Sequence, residues 1–513
     1  MRHFRPPLAA LVLITGAVSY EHQPTNATHP WSERIDLPLI PVAVSMVPTT
    51  GEVAIWAAFK NDSFGVDAAG VTQTAIYNPK NGTIAHYSIS HTEHDMFCPG
   101  ISLDFKGRII VSGGDTEEKT SIFDGKEWKA ASDMKIPRGY QSSTTITDGR
   151  IFTVGGSFSG GIGNKDGEIY DPEADEWTLL PGCSAEPMLT NDAGGIYRSD
   201  NHGWLFAWSN GSVLQAGPST KMHWFDTHEN GSITHAGTRG NDTDGMAGMA
   251  VMYDAGKGKI LTLGGAPSYN DSKATSNAHI LTVHKPGEPV LVEEINNMHS
   301  ARSFANAVIL PDGKVFVVGG QSYPIVFTDA NSSMVPELWD PKTKEFTELP
   351  KLPTPRNYHS SALLLPNATV FVGGGGLCPY ACEANHLDAH IYTPPYFFES
   401  DGVTPAKRPI INHVVNPTLK IGQTLNVSLS QPVESTQKLT FSMVRMSSST
   451  HTVNTDQRRV NVSPQAANAT LFTLGLTRDA GVLLPGYWHL FAMLNGVPSE
   501  AETILVEPPM ASQ

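Results

Sequence analysis

The chain has 513 residues, with 47 glycines and 37 prolines, and only 17% of it is charged. That composition suits a turn-rich globular protein of two or three domains, or a large all-β toroid with an addition. The formal net charge of −15 argues against nucleic acid or an anionic membrane surface as the main partner and favours a small neutral substrate.

Residues 1–19 open with the basic Met1-Arg2-His3-Phe4-Arg5, continue as an apolar run from Leu8 to about Val18 and end among small residues. This is the pattern of a secretory signal peptide and is too short to span a membrane. The mature protein is therefore expected to begin near Tyr20 and to be extracellular. No later stretch approaches the roughly 20 apolar residues of a spanning helix, so no membrane anchor is expected. Sequons at Asn26, Asn81, Asn210, Asn230, Asn367, Asn426 and Asn468, among others, agree with export.

From about Leu37 to Pro394 a unit recurs: a β-branched or aromatic run ending in Gly-Gly, then an aromatic-Asp pair, a bulky aromatic and a turn. Val111-Ser112-Gly113-Gly114, Val154-Gly155-Gly156, Leu263-Gly264-Gly265, Val318-Gly319-Gly320 and Val372-Gly373-Gly374 are its clearest starts. Tyr170-Asp171-Pro172 with Trp177 and Trp339-Asp340-Pro341 with Phe346 are its clearest ends. Repeats of about 50 residues with this signature are kelch motifs, each a four-stranded propeller blade, and the span has room for about seven. Helical periodicity of useful length is absent beyond the signal.

Pro405 to Pro409 reads as a linker. Beyond it Thr424-Leu425-Asn426-Val427-Ser428-Leu429 alternates polar and apolar, placing Asn426 toward solvent, and Leu439 to Val444 and Tyr487 to Phe491 also read as strands. The expected fold is all-β: a seven-bladed kelch propeller over 20–403 followed by an immunoglobulin-like β-sandwich over 404–513.

Four fragments carry the chemistry: Asp95-Met96-Phe97-Cys98-Pro99-Gly100, Arg138-Gly139-Tyr140-Gln141, Asn357-Tyr358-His359-Ser360 and Thr450-His451-Thr452-Val453. One thiol, two phenols and two imidazoles suit a redox-active copper. Neighbours on an extended strand point apart, so Tyr358 and His359 share one ion only if the backbone there is irregular. The four cysteines, Cys98, Cys183, Cys378 and Cys382, allow three disulfide pairings in an oxidising compartment. No Gly-X-Gly-X-X-Gly fingerprint for nicotinamide or flavin is evident.

These fragments, in this order, resemble the galactose oxidase family of copper radical oxidases. The resemblance runs from about Trp31 to the C-terminus through Arg138-Gly139-Tyr140-Gln141-Ser142-Ser143, Tyr197-Arg198-Ser199-Asp200-Asn201-His202 and His451-Thr452-Val453-Asn454-Thr455-Asp456-Gln457-Arg458-Arg459. It implies one copper ion held by Tyr140, His359, His451 and an axial Tyr358, and a thioether between Cys98 and Tyr140 that lets Tyr140 persist as a radical. It implies a cycle in which Tyr358 takes the hydroxyl proton of a primary alcohol, the Tyr140 radical abstracts hydrogen from the carbinol carbon, and dioxygen becomes hydrogen peroxide. It also implies a Cys378 to Cys382 disulfide, which leaves Cys183 as a buried free thiol.

Departures from galactose oxidase bear on the substrate. Phe158 stands where galactose oxidase has a stacked tryptophan and lacks the indole donor. Glyoxal oxidases generally carry histidine there, and similar fungal alcohol oxidases carry phenylalanine. Arg198 matches a sugar-binding arginine, Asn270 replaces a glutamine, Val326 replaces a proline, and Phe64, Phe304 and Phe327 match aromatic pocket positions. The expected pocket has Phe64, Phe158, Arg198, Asn270 and Phe327 on its wall and favours aliphatic and aryl alcohols over galactose. No counterpart of the sugar-binding sandwich that opens galactose oxidase is expected before the propeller. Expected partners are the alcohol, dioxygen and a peroxide-using enzyme or activating peroxidase. The competing readings are a carbohydrate oxidase, an oxidase of a dedicated secondary metabolite, and a kelch binding module with a decayed site.

Overall fold

The computed structural model describes residues 26–65, 70–380 and 382–509; the segment read as a signal, 1–19, lies outside them. Seven sheets with propeller connectivity follow one another along the chain. The first runs through Ala43–Val47, Glu52–Trp56, Thr72–Tyr77 and Ile84–Ile89. Its innermost strand is wholly buried while its outermost is half-exposed, as expected where radial stacking covers both faces of the inner strands only.

The seventh blade closes the ring. Ser360–Leu364, Val370–Gly374 and Asp388–Tyr392 are completed by Ile35–Asp36 from the other end of the propeller, with Ile35 opposite Ala389. The repeat pattern begins at Leu37, after this closing strand, because two residues without a Gly-Gly signature carry no repeat signal.

The glycine pairs do what close packing requires. Gly155 and Gly156 both have positive φ, and a Cβ on Gly155 would collide with the Asp200 carbonyl entering the next blade. The aromatic ends also pair as the repeat implies: Tyr170 lies opposite Trp177, and Trp339 opposite Phe346. A second repeated device carried no signal in the sequence reading. Arg138, Arg302 and Arg356 each donate to a carbonyl of the glycine pair in their own blade, at 3.0, 2.9 and 3.0 Å, and to Glu168, Glu337 and Asp388 respectively. These buried guanidinium forks tie the second and third strands of each blade together.

The C-terminal part is a sandwich. One sheet holds Ile411–Val415, Thr424–Leu429, Pro464–Ala466 and Leu471–Gly475; the other includes Leu439–Arg445, Arg459–Val462, Gly486–Leu494 and Glu502–Glu507. Thr424–Leu429 alternates exposed and buried residues, with Asn426 on the solvent side. From this sandwich Ser448–Thr450 reaches into the propeller and adds a fifth strand to the first blade, Thr450 opposite Ala43. His451 follows directly. Helix is confined, among the described residues, to one short turn at Ile196–Ser199 and to 3-10 turns, and no described helix is long and apolar enough to cross a membrane.

Candidate active site

The site is built from one backbone feature used repeatedly. At or just before the innermost strand of six successive blades stands a non-glycine residue with left-handed φ: Cys98 (60°), Tyr140 (66°), His202 (53°), Ala247 (50°), Phe304 (60°) and His359 (65°). Backbone bonds link several of them from blade to blade. Tyr140 N–H donates to Cys98 O at 2.9 Å, His202 N–H to Tyr140 O at 3.0 Å and Phe304 N–H to Ala247 O at 2.9 Å. A left-handed side-chain residue costs on the order of 1–3 kcal/mol, and where they form, these blade-to-blade bonds around the ring of residues hold that conformation in place. The irregular backbone required for Tyr358 and His359 to share an ion is this turn.

His451 enters from the sandwich with φ of 49°. Cys98 Sγ lies 3.5 Å from His451 Nε2 although 353 residues separate them, and the Cys98, His359 and His451 donor atoms all lie within 4.8 Å of one another. The tautomers are fixed from behind. His359 Nδ1–H donates to Gly376 O at 2.5 Å. Thr450 Oγ1 gives its proton to Val42 O, so at 2.6 Å from His451 Nδ1 it accepts. Both Nε2 lone pairs are thereby left toward the common centre, and that of His359 is buried with no hydrogen-bond partner. The Tyr140 and Tyr358 hydroxyls meet at the same centre.

Desolvation sets the protonation. It lowers His359 to about 3 and His451 well below the ordinary imidazole value, so both are neutral ligands. It raises the Tyr140 and Tyr358 phenols and the Cys98 thiol well above their ordinary values. Neutral imidazoles, phenols that a dication would ionise, and an orphaned buried nitrogen form a donor set that fits copper(II).

The pocket wall is aromatic. Phe158 stacks on Tyr140 with centroids 4.1 Å apart and planes 17° apart. Phe64 stacks on Phe97 at 4.8 Å and lies 5.6 Å from Phe327, which meets Tyr358 edge-on at 5.2 Å. Cys378 and Cys382 are joined in a disulfide, and the Cys378 carbonyl accepts the Phe64 N–H at 3.4 Å, fastening this wall. Cys183 is remote, a buried thiol 3.3 Å from Asp226 O and pushed up to about 12 by burial.

Arg198 and Asn270 differ in what they offer. The Arg198 guanidinium sits 4.3 Å from the Tyr269 ring, 4.7 Å from Tyr197 and 5.6 Å from Tyr140, with Nη1 buried and unpartnered among the described residues. The Asn270 amide is engaged already: Oδ1 accepts Val326 N–H at 2.9 Å and Nδ2 donates to Asp271 at 3.0 Å. Sequence reasoning assigned no role to Phe97, Tyr269 or His202; His202 stood at the end of a quoted motif, but its place in the ring depends on backbone geometry.

This arrangement can be set beside known proteins. The model "Galactose oxidase-like, Early set domain" matches 408–506, "Glyoxal oxidase N-terminus" matches 199–396 and "Kelch motif" matches 138–184. Galactose oxidase of Gibberella zeae is 46% identical over 484 residues, 93% of this chain and 70% of the relative. The chain belongs to the galactose oxidase family. A solved fungal alcohol oxidase in complex with copper has a TM-score of 0.89 and 46% identity, over 93% of this chain and 99% of that one. The aldehyde oxidase GLOX of Vitis pseudoreticulata is more distant, 25% identical over 81% of this chain and 82% of its own.

Beside the site lies a carboxyl with a measurable consequence. Burial and the neighbouring Asp115 raise Asp95 from 3.8 to about 8, while its Oδ1 accepts Phe97 N–H at 3.2 Å. Because the folded value is raised, the stability contribution of this group is complete below about pH 4 and is lost as pH climbs toward 8. Asp95→Asn keeps the acceptor and removes the ionisation. Its thermal midpoint is expected to match wild type near pH 4 and exceed it by several degrees at pH 8, in a pH series of scanning calorimetry.

Proposed function

We propose that this chain is a secreted copper radical oxidase that converts a primary alcohol and dioxygen to an aldehyde and hydrogen peroxide. The unit 20–403 would carry the site and 404–513 would supply His451. The supporting observation is the convergence of two imidazole nitrogens and two phenol oxygens beside a buried thiol, inside a fold shared with copper oxidases. Tyr140, Tyr358, His359 and His451 hold the ion, and Cys98 is bonded through sulfur to the Tyr140 ring. Forming that bond removes the thiol hydrogen and one ring hydrogen, and dioxygen takes up the two electrons and two protons. When bound, copper supplies one electron-accepting centre and a Lewis-acidic position for the alcohol oxygen. The Tyr358 oxygen receives the hydroxyl proton and the Tyr140 oxygen takes hydrogen from the carbinol carbon, while Phe158 covers the Tyr140 ring from solvent.

The natural substrates are aliphatic and aryl primary alcohols. Phe64, Phe158 and Phe327 offer apolar surface, and with the Asn270 amide engaged, Arg198 is the remaining polar handle; galactose would forfeit the indole donor and part of its hydrogen bonding. The product suits a peroxide-using enzyme, and a peroxidase is the expected activator. Peroxide release by copper-loaded, oxidant-activated protein is expected with benzyl alcohol and n-butanol and weakly with galactose or methylglyoxal, with Tyr140→Phe silent throughout. Phe158→Trp is expected to raise activity on galactose relative to benzyl alcohol by about tenfold, one hydrogen bond's worth. A wild-type preference for galactose would instead favour a carbohydrate oxidase.

One observation favours a second reading. The Cys98, His359 and His451 atoms alone form a compact cluster, the donor set of a His₂Cys electron-transfer copper site. The two readings differ in whether Cys98 sulfur is bonded to the metal or to carbon.

A further inference from the structure

We infer that Tyr269 and His202 are positioning residues, a hydrogen-bonded branch that steadies the Tyr358 oxygen from behind and ends at a buried water. The inference rests on Tyr358 acting as the base proposed above. The Tyr269 and Tyr358 rings meet edge-on with centroids 5.9 Å apart and their hydroxyls within electrostatic reach of each other, and the Tyr269 hydroxyl lies 3.3 Å from His202 Nε2. His202 is itself locked: its ring stacks on His451 at 5.0 Å and 14° and packs 4.5 Å from Tyr140, while its main-chain N–H donates to the Tyr140 carbonyl.

His202 also lines a small cavity of about 20 Å³, together with Gln141, Ser142, Asn454 and Asp456. Gln141 Oε1, Ser142 Oγ and Asn454 Oδ1 are buried without a hydrogen-bond partner among the described residues, and Asp456 Oδ2 has only the Arg445 guanidinium 3.5 Å away. One water needs about 10–15 Å³ and two to four polar partners, and this cavity offers both. Three of the four oxygens can only accept, so a molecule with two protons to give suits the lining.

With Tyr358 ionised, Tyr269 O–H donates to the Tyr358 oxygen, His202 Nε2–H donates to the Tyr269 oxygen, and His202 Nδ1 accepts from the water. The imidazole does not change charge. Losing one link is expected to mis-aim and destabilise the phenolate oxygen, lowering turnover without touching the alcohol's own contacts.

The test uses the full-length protein with copper as the probe. Tyr269→Phe and His202→Leu are each expected to shift the phenolate-to-copper absorption band of the resting protein. Each should lower kcat on benzyl alcohol about tenfold with KM within about twofold, and the double variant should be no worse than either single one. His202→Gln, which keeps a donor toward Tyr269, is expected to restore most of both signals. An unshifted band in Tyr269→Phe, additive losses, or glutamine no better than leucine would overturn the branch, as would a crystal structure with no water density in the cavity. Tyr269→Phe removes only a hydroxyl, so it decides alone should His202→Leu fail to fold. Should the wild type oxidise no alcohol, the proposed function fails, while the band shift and its rescue still decide this inference.

Discussion

Cys98→Ser is expected to leave a folded, copper-binding protein whose alcohol-dependent peroxide release falls by about 10³-fold or more, some 4 kcal/mol of barrier. Serine fills nearly the same buried space and the backbone ring keeps its link, since Tyr140 N–H bonds the residue-98 carbonyl and not its side chain. On the proposed function, what would disappear is an ortho sulfur on the Tyr140 ring, which would lower the potential at which that phenol gives up an electron. Peptide mass mapping provides a readout independent of turnover. In the matured wild type the peptides carrying Cys98 and Tyr140 should travel as one species, two hydrogens lighter than their sum, and in the variant as two. The His₂Cys alternative forecasts the reverse: no cross-link in the wild type, and loss of a thiolate-to-copper band with much weaker copper binding in Cys98→Ser.

The same residues show what the sequence could and could not convey. Thr424–Leu429 and the glycine pairs were legible because each reports a local demand, alternation on a half-buried sheet or close approach of backbones. The site fragments were legible as motifs, yet the reason they work is not local. Tyr140, His202 and His359 owe their aim to a left-handed turn recurring from blade to blade, a periodicity carried by backbone angles and not by residue type. Asn270 read as a shortened arm, and only the position of Val326 N–H, 56 residues away, shows that its carbonyl is occupied. For Arg198, the resemblance named a pocket position but not what surrounds it. It has four aromatic rings around it and an Nη1 without a hydrogen-bond partner among the described residues, and three of those rings, Tyr140, Phe158 and Tyr269, come from distant parts of the sequence.

His451→Ala is expected to weaken copper binding by about 10²–10³-fold while leaving the pH dependence of binding unchanged in slope. On the proposed ligand set His451 is the donor brought by the sandwich, and its removal would leave His359 and two phenols, a poorer set for copper(II). The slope has a different origin. Burial lowers His359 to about 3 and keeps His451 well below the ordinary range, so neither imidazole competes with a proton for the metal above about pH 5. The phenols of Tyr140 and Tyr358 are pushed up and hold their protons until copper displaces them. Affinity should therefore rise about tenfold per pH unit for each phenol ionised on binding, and continue rising through neutral pH where a histidine-limited site would level off. Copper titrations at several pH values, followed by the thermal shift that binding confers, read both quantities. Wild type and His451→Ala should give parallel lines displaced in affinity, and added imidazole should recover part of the displacement by occupying the vacated space. Tyr358→Phe should give a shallower line. A common slope of zero would mean that the phenols do not ionise on binding, which would remove Tyr140 and Tyr358 from the ligand set.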